Sequence, residues 1–141
     1  MAVVNPYLSF NGDCEQAFDL YKSVFGGEYQ GLMRWGDNPD CGEMPADQKN
    51  QVMHVALPIG DTVLMGSDSP MGPAERGSAY TVAVGSKDIG ETEKIFNGLA
   101  DGGQVTMPLQ KTFWGATFGM LTDKFGVAWM INCEDGGGKP Q

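Results

Sequence analysis

An α+β fold made of two β-α-β-β-β modules is predicted for this 141-residue chain. Three observations predict it. Asn5-Pro-Tyr-Leu-Ser-Phe-Asn-Gly-Asp13 resembles Ser78-Ala-Tyr-Thr-Val-Ala-Val-Gly-Ser86, with Tyr7 aligned to Tyr80 and Gly12 to Gly85, and each is followed by a helical pattern. Those patterns end at matching glycine pairs, Gly26-Gly27 and Gly102-Gly103. Gly60 and Gly126 then mark a hairpin late in each half. A strand-helix unit used twice in so short a chain fixes the architecture before any single element is considered.

The elements follow in order. Val3 to Phe10 alternates as a strand, and Asn11-Gly-Asp13 turns the chain, with Asp13 placed to accept an orphan backbone N–H of the next helix. Ala17, Phe18, Tyr21, Val24 and Phe25 recur at spacings of three and four, the mark of one buried helical stripe. Gly26-Gly27 stops that helix. Glu28 to Trp35 reads as a strand, and Gly36 to Asn50, with two prolines, two glycines and four carboxylates, reads as a loop. Gln51 to Pro58 and Thr62 to Gly66 form a hairpin around Ile59-Gly-Asp61. Gly66 to Gly77 links the halves. In the second half Ser78 to Val84 is a strand, and Ile89, Thr92, Ile95, Phe96 and Leu99 mark a helix. Gln104 to Leu109 is a strand broken near Pro108, and Ala116 to Thr122 with Val127 to Asn132 makes the last hairpin around Asp123-Lys-Phe-Gly126. Residues 1–135 are thus expected to form one domain of two modules (3–68 and 78–133), with 136–141 a flexible tail.

Composition narrows the function. Hydrophobic residues make up 41% of the chain, enough for a real core. The net charge of -9 opposes phosphate backbones and anionic lipid, so neither nucleic acid nor membrane is an expected partner. No apolar run is long enough to span a bilayer, and the N-terminus has no basic region leading into an apolar one. Three widely spaced cysteines, Cys14, Cys41 and Cys133, suit a reducing compartment. A cytoplasmic location is the expectation.

Three stretches carry a family resemblance. They are Pro6-Tyr-Leu-Ser-Phe10 with Tyr21-Lys and Phe25-Gly-Gly27; His54-Val-Ala with Met65-Gly-Ser-Asp68; and Thr112-Phe-Trp-Gly-Ala-Thr-Phe-Gly119 running into Thr122-Asp-Lys-Phe-Gly-Val-Ala-Trp-Met-Ile-Asn132. The chain resembles the PhnB-like branch of the vicinal oxygen chelate superfamily, which holds glyoxalase I, bleomycin-resistance proteins and extradiol dioxygenases. The resemblance implies sheets curled around a shared cleft with helices on the outer faces, and a homodimer. It also implies four metal-binding strand positions, which map onto Pro6, Leu64, Ala79 and Met130. None of these, nor any immediate neighbour, offers a carboxylate or an imidazole, so no metal and no cofactor is expected. PhnB-like sequences are often labelled demethylubiquinone methyltransferases. Here the glycine pairs follow helices instead of preceding them, unlike a strand–Gly-rich turn–helix that would hold an adenosyl donor.

His54, the single histidine, lies mid-strand and is able to act as acid or base near neutral pH; the plain alternative is a partly buried ring satisfied by a neighbour. Its facing depends on whether the following hairpin loop has two or three residues, and the resemblance turns it towards the cleft. Trp114 and Phe118, with Phe113, serve equally as a ligand wall or as core or dimer packing. Trp35 and Arg34 either bracket a pocket mouth or are solvated. Asp37, Asp40, Glu43 and Asp47 lack calcium-loop spacing and read as a lid or solvated loop. Cys14 heads a helix without a base partner, which favours a structural role. The nine methionines read as filling an adaptable core. The leading expectation is metal-independent binding of a small, partly apolar molecule through Tyr7, Leu64, Trp114, Phe118 and Met130, with His54 or Tyr7 as the polar contact. The alternatives are a lyase or isomerase using His54 as acid or base, and a structural dimer with a collapsed cleft.

Overall fold

The computed structural model describes residues 2–39, 42–69 and 74–134. The expected tail at 136–141, Asp40 and Cys41 lie outside the described residues. Contacts divide the chain into two compact units with the boundary between Glu75 and Arg76. The first carries β1 (Tyr7–Phe10), α1 (Cys14–Phe25), β2 (Gly31–Arg34), α2 (Ala46–Lys49), β3 (Val52–Ile59) and β4 (Thr62–Asp68). The second carries β5 (Val82–Ser86), α3 (Ile89–Ala100), β6 (Gln104–Lys111), β7 (Ala116–Thr122) and β8 (Ala128–Glu134).

The duplication holds at the level of topology. Strand order is β1-β4-β3-β2 in one unit and β5-β8-β7-β6 in the other. In each, the first strand pairs parallel with the last, and all other pairs are antiparallel. The residue matches are looser. Tyr7 lies in β1, whereas Tyr80 precedes β5; Gly12 turns the chain into α1, whereas Gly85 pairs with Asn132 inside β5. The hairpin loops also differ. Ile59 pairs with Thr62 across two residues, but Thr122 pairs with Ala128 across five.

Each helix packs one stripe onto one face of its own sheet. Cys14, Ala17, Phe18 and Tyr21 are buried on α1, and Thr92, Ile95, Phe96 and Leu99 on α3. The pattern is the same, but it starts about one turn later in α3. Glycines admit the rings at both contacts. A Cβ on Gly66 in β4 would stand 2.7 Å from the Phe18 ring, and one on Gly119 in β7 would stand 2.7 Å from the Phe96 ring. The two glycines occupy different strands of the common plan, so each unit found its own close approach between helix and sheet.

Several local expectations are corrected. Val3 and Val4 are exposed and β1 starts only at Tyr7. Upstream, Pro6 contributes a carbonyl to Met65 N–H, and the Asn5 side chain accepts from Val63 N–H in place of a backbone partner. β6 continues through Pro108 to Lys111 because it is an edge strand, and the register shifts on either side of Met107 absorb the missing donor. The loop after β2 contains a 3-10 turn at Trp35–Asp37 as well as α2. β4 runs on to Asp68 instead of ending at Gly66. Asp13 makes no side-chain capping bond; Asp68 caps α1 from across the unit.

Candidate functional site

Strand pairing assigns every side chain to a face. Gly66 faces α1, so its row, Leu8, Gly66, Val55 and Leu32, faces α1 as well. The next row, Tyr7, Met65, Ala56 and Gly31, takes the helix-free face. His54 pairs with Met33 and precedes Val55, so it too takes the helix-free face. The loop Gly60-Asp61 has two residues, the shorter of the two lengths on which this facing depended. A bulge at Met53 then returns Val52 to the buried side beside Arg34.

Tyr7 and His54 meet on that face. The Tyr7 hydroxyl lies 3.3 Å from His54 Nδ1, and the ring centroids are 5.8 Å apart. With the imidazole proton on Nε2, the phenol donates and Nδ1 accepts. Met65 and Met33, the cross-strand partners of Tyr7 and His54, stand on the same face.

Leu64 does not join them. It pairs with Leu57 and is 3% exposed in the core under α1. A one-residue change of register reverses the face, and Met65 holds the position on the helix-free side. The methionines as a group also leave the core: none of those described is buried.

The second unit shows the same division. Trp129, Ile131 and Cys133 are buried under α3. On the other face, Ala83, Met130, Met120 and Met107 form one cross-strand row, and Gly85, Asn132, Phe118 and Gln110 form the next. Trp114 stands 6.4 Å from Phe118, and Phe113, 98% exposed, stands 5.0 Å from Trp114. The turn that carries these rings is clamped by Thr112, whose hydroxyl donates to Ala116 O at 2.9 Å and accepts from Ala116 N–H at 3.2 Å. Phe118 and Trp114 are thus in ring contact, and Met130 stands on the Phe118 face in the neighbouring row.

Other charged groups are occupied by structure. Arg34 is not simply solvated. It grips Glu15 of α1 with two bonds of 2.9 and 2.8 Å and donates to Asn50 O at 3.0 Å. The guanidinium holds the Glu15 carboxyl below its ordinary range, through hydrogen bonding first and Coulomb attraction after it, with burial opposing. The Tyr29 hydroxyl is raised, mainly by burial and then by donating to Asp19 at 2.7 Å. Cys14 is buried at the start of α1.

No three His, Cys, Asp or Glu side chains converge among the described residues. Of the four mapped positions only Met130 is a helix-free strand position: Leu64 lies under α1, and Pro6 and Ala79 precede β1 and β5, so the corresponding helix-free strand positions are Tyr7, Met65, Ala83 and Met130, with no carboxylate or imidazole among them. This donor set does not fit a divalent ion of the glyoxalase kind.

The family model described as 3-demethylubiquinone-9 3-methyltransferase matches residues 2–132. The chain belongs to this PhnB-like family. It is similar to the crystal structure of protein PA1353 from Pseudomonas aeruginosa, at 44% identity and TM-score 0.86 over 96% of this chain and 100% of that one. Protein YjdN of Escherichia coli (strain K12) is 34% identical, covering 92% of this chain and 93% of its own. A putative 3-demethylubiquinone-9 3-methyltransferase, PhnB protein, from Bacillus cereus is 25% identical at TM-score 0.77, covering 94% and 99%. The fold extends to a glyoxylase/bleomycin resistance protein/dioxygenase domain from Frankia sp. EAN1pec, at 13% identity and TM-score 0.66 over 95% and 98%. In this PhnB-like chain Gly26 ends α1, its amide bonded to Lys22 O, and Gly102-Gly103 follows α3, so neither pair opens a helix onto a nucleotide.

Proposed function

We propose that the protein is a cytoplasmic, metal-independent binder of a small, partly apolar molecule and acts as a homodimer. One observation carries the reading: the helix-free face of the second sheet aligns Met107, Met120 and Met130 beside Phe118 and Trp114. Thioethers adapt to varied shapes and pack well against rings, and a flat apolar ligand laid on them gains about 25 cal/mol per Å² removed from water. The first unit, taken by itself, carries a polar pair on its own helix-free face, Tyr7 and His54, with Met33 and Met65 as their cross-strand partners.

Thermal unfolding across a panel of small aromatic compounds tests this reading. A melting temperature that rises with ligand concentration, and loses that rise in Met120→Ala and Phe118→Ala, is the expected result. Absence of any such compound, or a shift that survives both substitutions, overturns the reading. Sedimentation tests the dimer, which should run at twice the 15.1 kDa chain mass.

A further inference from the structure

A cavity of about 360 Å³ opens at the C-terminal ends of β5 and β8, lined by Gly85, Ser86, Lys87, Glu91, Asn132 and Glu134. Its volume is near the lower end of the range for small-molecule sites, roughly 300–1,000 Å³. One wall is held rigidly. The Ser86 hydroxyl donates to Glu91 Oε1 at 2.6 Å and accepts from Asp88 N–H at 3.2 Å, while the Asp88 carboxylate caps α3 at Glu91 N–H. Gly85 adds no side chain, which leaves the space beside Asn132 free.

The charges are the telling feature. Lys87 and Glu134 both line the cavity, and among the described residues neither forms an ion pair. A ligand with a single charge pairs with one of them and leaves the other to water. A ligand with both charges pairs each, and Asn132 offers a donor and an acceptor between them. One lining residue, Asn132, belongs to a cross-strand row of the helix-free face. Asn132 pairs with Gly85 on one side and Phe118 on the other, so the Phe118 ring is the next side chain along the row. Met130 and Met120 form the row behind it.

We infer that this cavity binds a small zwitterion of the α-amino-acid class with an apolar arm, its carboxylate at Lys87, its ammonium at Glu134 and Glu91, and its arm on Phe118. The polar half stands on the cavity alone; the arm rests on the reading given under Proposed function.

Calorimetry of the full chain with L-phenylalanine as probe tests both halves. L-Phenylalanine should bind, and N-acetyl-L-phenylalanine and L-phenylalaninamide should each bind about tenfold or more weakly, since each lacks one charge. Lys87→Met and Glu134→Gln, both at exposed positions, should reduce L-phenylalanine affinity by a similar factor. Phe118→Ala should weaken L-phenylalanine but leave glycine binding unchanged. No binding of L-phenylalanine, or equal affinity for the three probes, overturns the zwitterion site. If aromatic compounds still bind through Phe118 in that case, the apolar reading survives without it. Equal binding of glycine and L-phenylalanine, both dependent on Lys87 and Glu134 and indifferent to Phe118, overturns the arm and leaves the polar half standing.

Discussion

The carboxylate of Asp68, the last residue of β4, accepts a hydrogen bond from the amide of Cys14, the first residue of α1, at 3.0 Å. The same Oδ1 takes Gly12 N–H at 2.8 Å, and Oδ2 takes Val52 N–H at 2.9 Å. One buried side chain thus satisfies three backbone donors in the turn, the helix and the neighbouring strand. Asp123 does similar work in the second unit, accepting from Phe125 N–H, Val127 N–H and the Trp129 indole. Asp68→Asn replaces one acceptor oxygen by a donor facing another donor, and should cost about 1–3 kcal/mol. Asp13→Ala should cost less than about 0.5 kcal/mol, because its side chain makes no capping bond. Urea denaturation of the two variants checks the contrast; equal losses would return the cap to Asp13.

In the second helix the cap is local. Asp88 accepts from Glu91 N–H at 2.8 Å. Asp88→Ala should therefore lose about 1 kcal/mol, within the usual range for an N-cap, measured by the shift in urea midpoint at unchanged slope.

The Glu15–Arg34 pair makes stability depend on pH. The folded carboxyl titrates below its ordinary value of 4.5. Its contribution is therefore fully present above that value and is lost as pH falls through the lowered folded one. Both side chains are about one-third or more exposed, so solvent screening limits the effect to about 1 kcal/mol or less. Glu15→Gln should be less stable than the parent at pH 7, and the gap should close under acid. A gap that persists unchanged at pH 3 would place the effect elsewhere.

Ring-on-glycine packing gives a steric prediction. A Cβ on Gly66 would lie 2.7 Å from the Phe18 ring and 2.8 Å from Leu8 O, with a backbone atom on one side unable to move freely. Gly66→Ala should lose about 1–3 kcal/mol from overpacking. Gly31→Ala, which would meet nothing within 4 Å, should lose far less. Thermal melts of the pair separate contact from strand propensity.

Metal removal should change nothing. Prolonged dialysis against EDTA, followed by zinc, nickel or iron addition, should leave the melting temperature in place, because neither the mapped positions Pro6, Leu64, Ala79 and Met130 nor the helix-free strand positions Tyr7, Met65 and Ala83 offer a carboxylate or an imidazole. A large metal-dependent rise would refute the mapping.

The helix stripes and the glycine pairs were legible because periodicity is local: Phe18 and Tyr21 in α1, and Ile95, Phe96 and Leu99 in α3, announce themselves by spacing. The ends of strands were less so. β1 lost its first residues where Pro6 and Asn5 took over the hydrogen bonding, and β6 kept Pro108 because an edge strand tolerates it. Arg34 looked solvated because nothing local reveals Glu15 on the helix opposite. Leu64 was assigned to the ligand surface one residue out of step, and the methionine rows were missed for the same reason: strand period is two, so alternation names two faces without saying which is covered.

Sequence alone determined the duplicated plan, the helices and the absence of hard metal donors at the mapped positions, since repetition, spacing and side-chain chemistry are properties of the chain itself. Tertiary structure decided which face of each sheet the helix covers, and hence that His54 and Met65 take the helix-free face of the first sheet and Met120 that of the second, while Leu64 and Asp68 are buried. The physical reason is that facing depends on hairpin length, bulges and cross-strand register, which are set by partners distant in the chain.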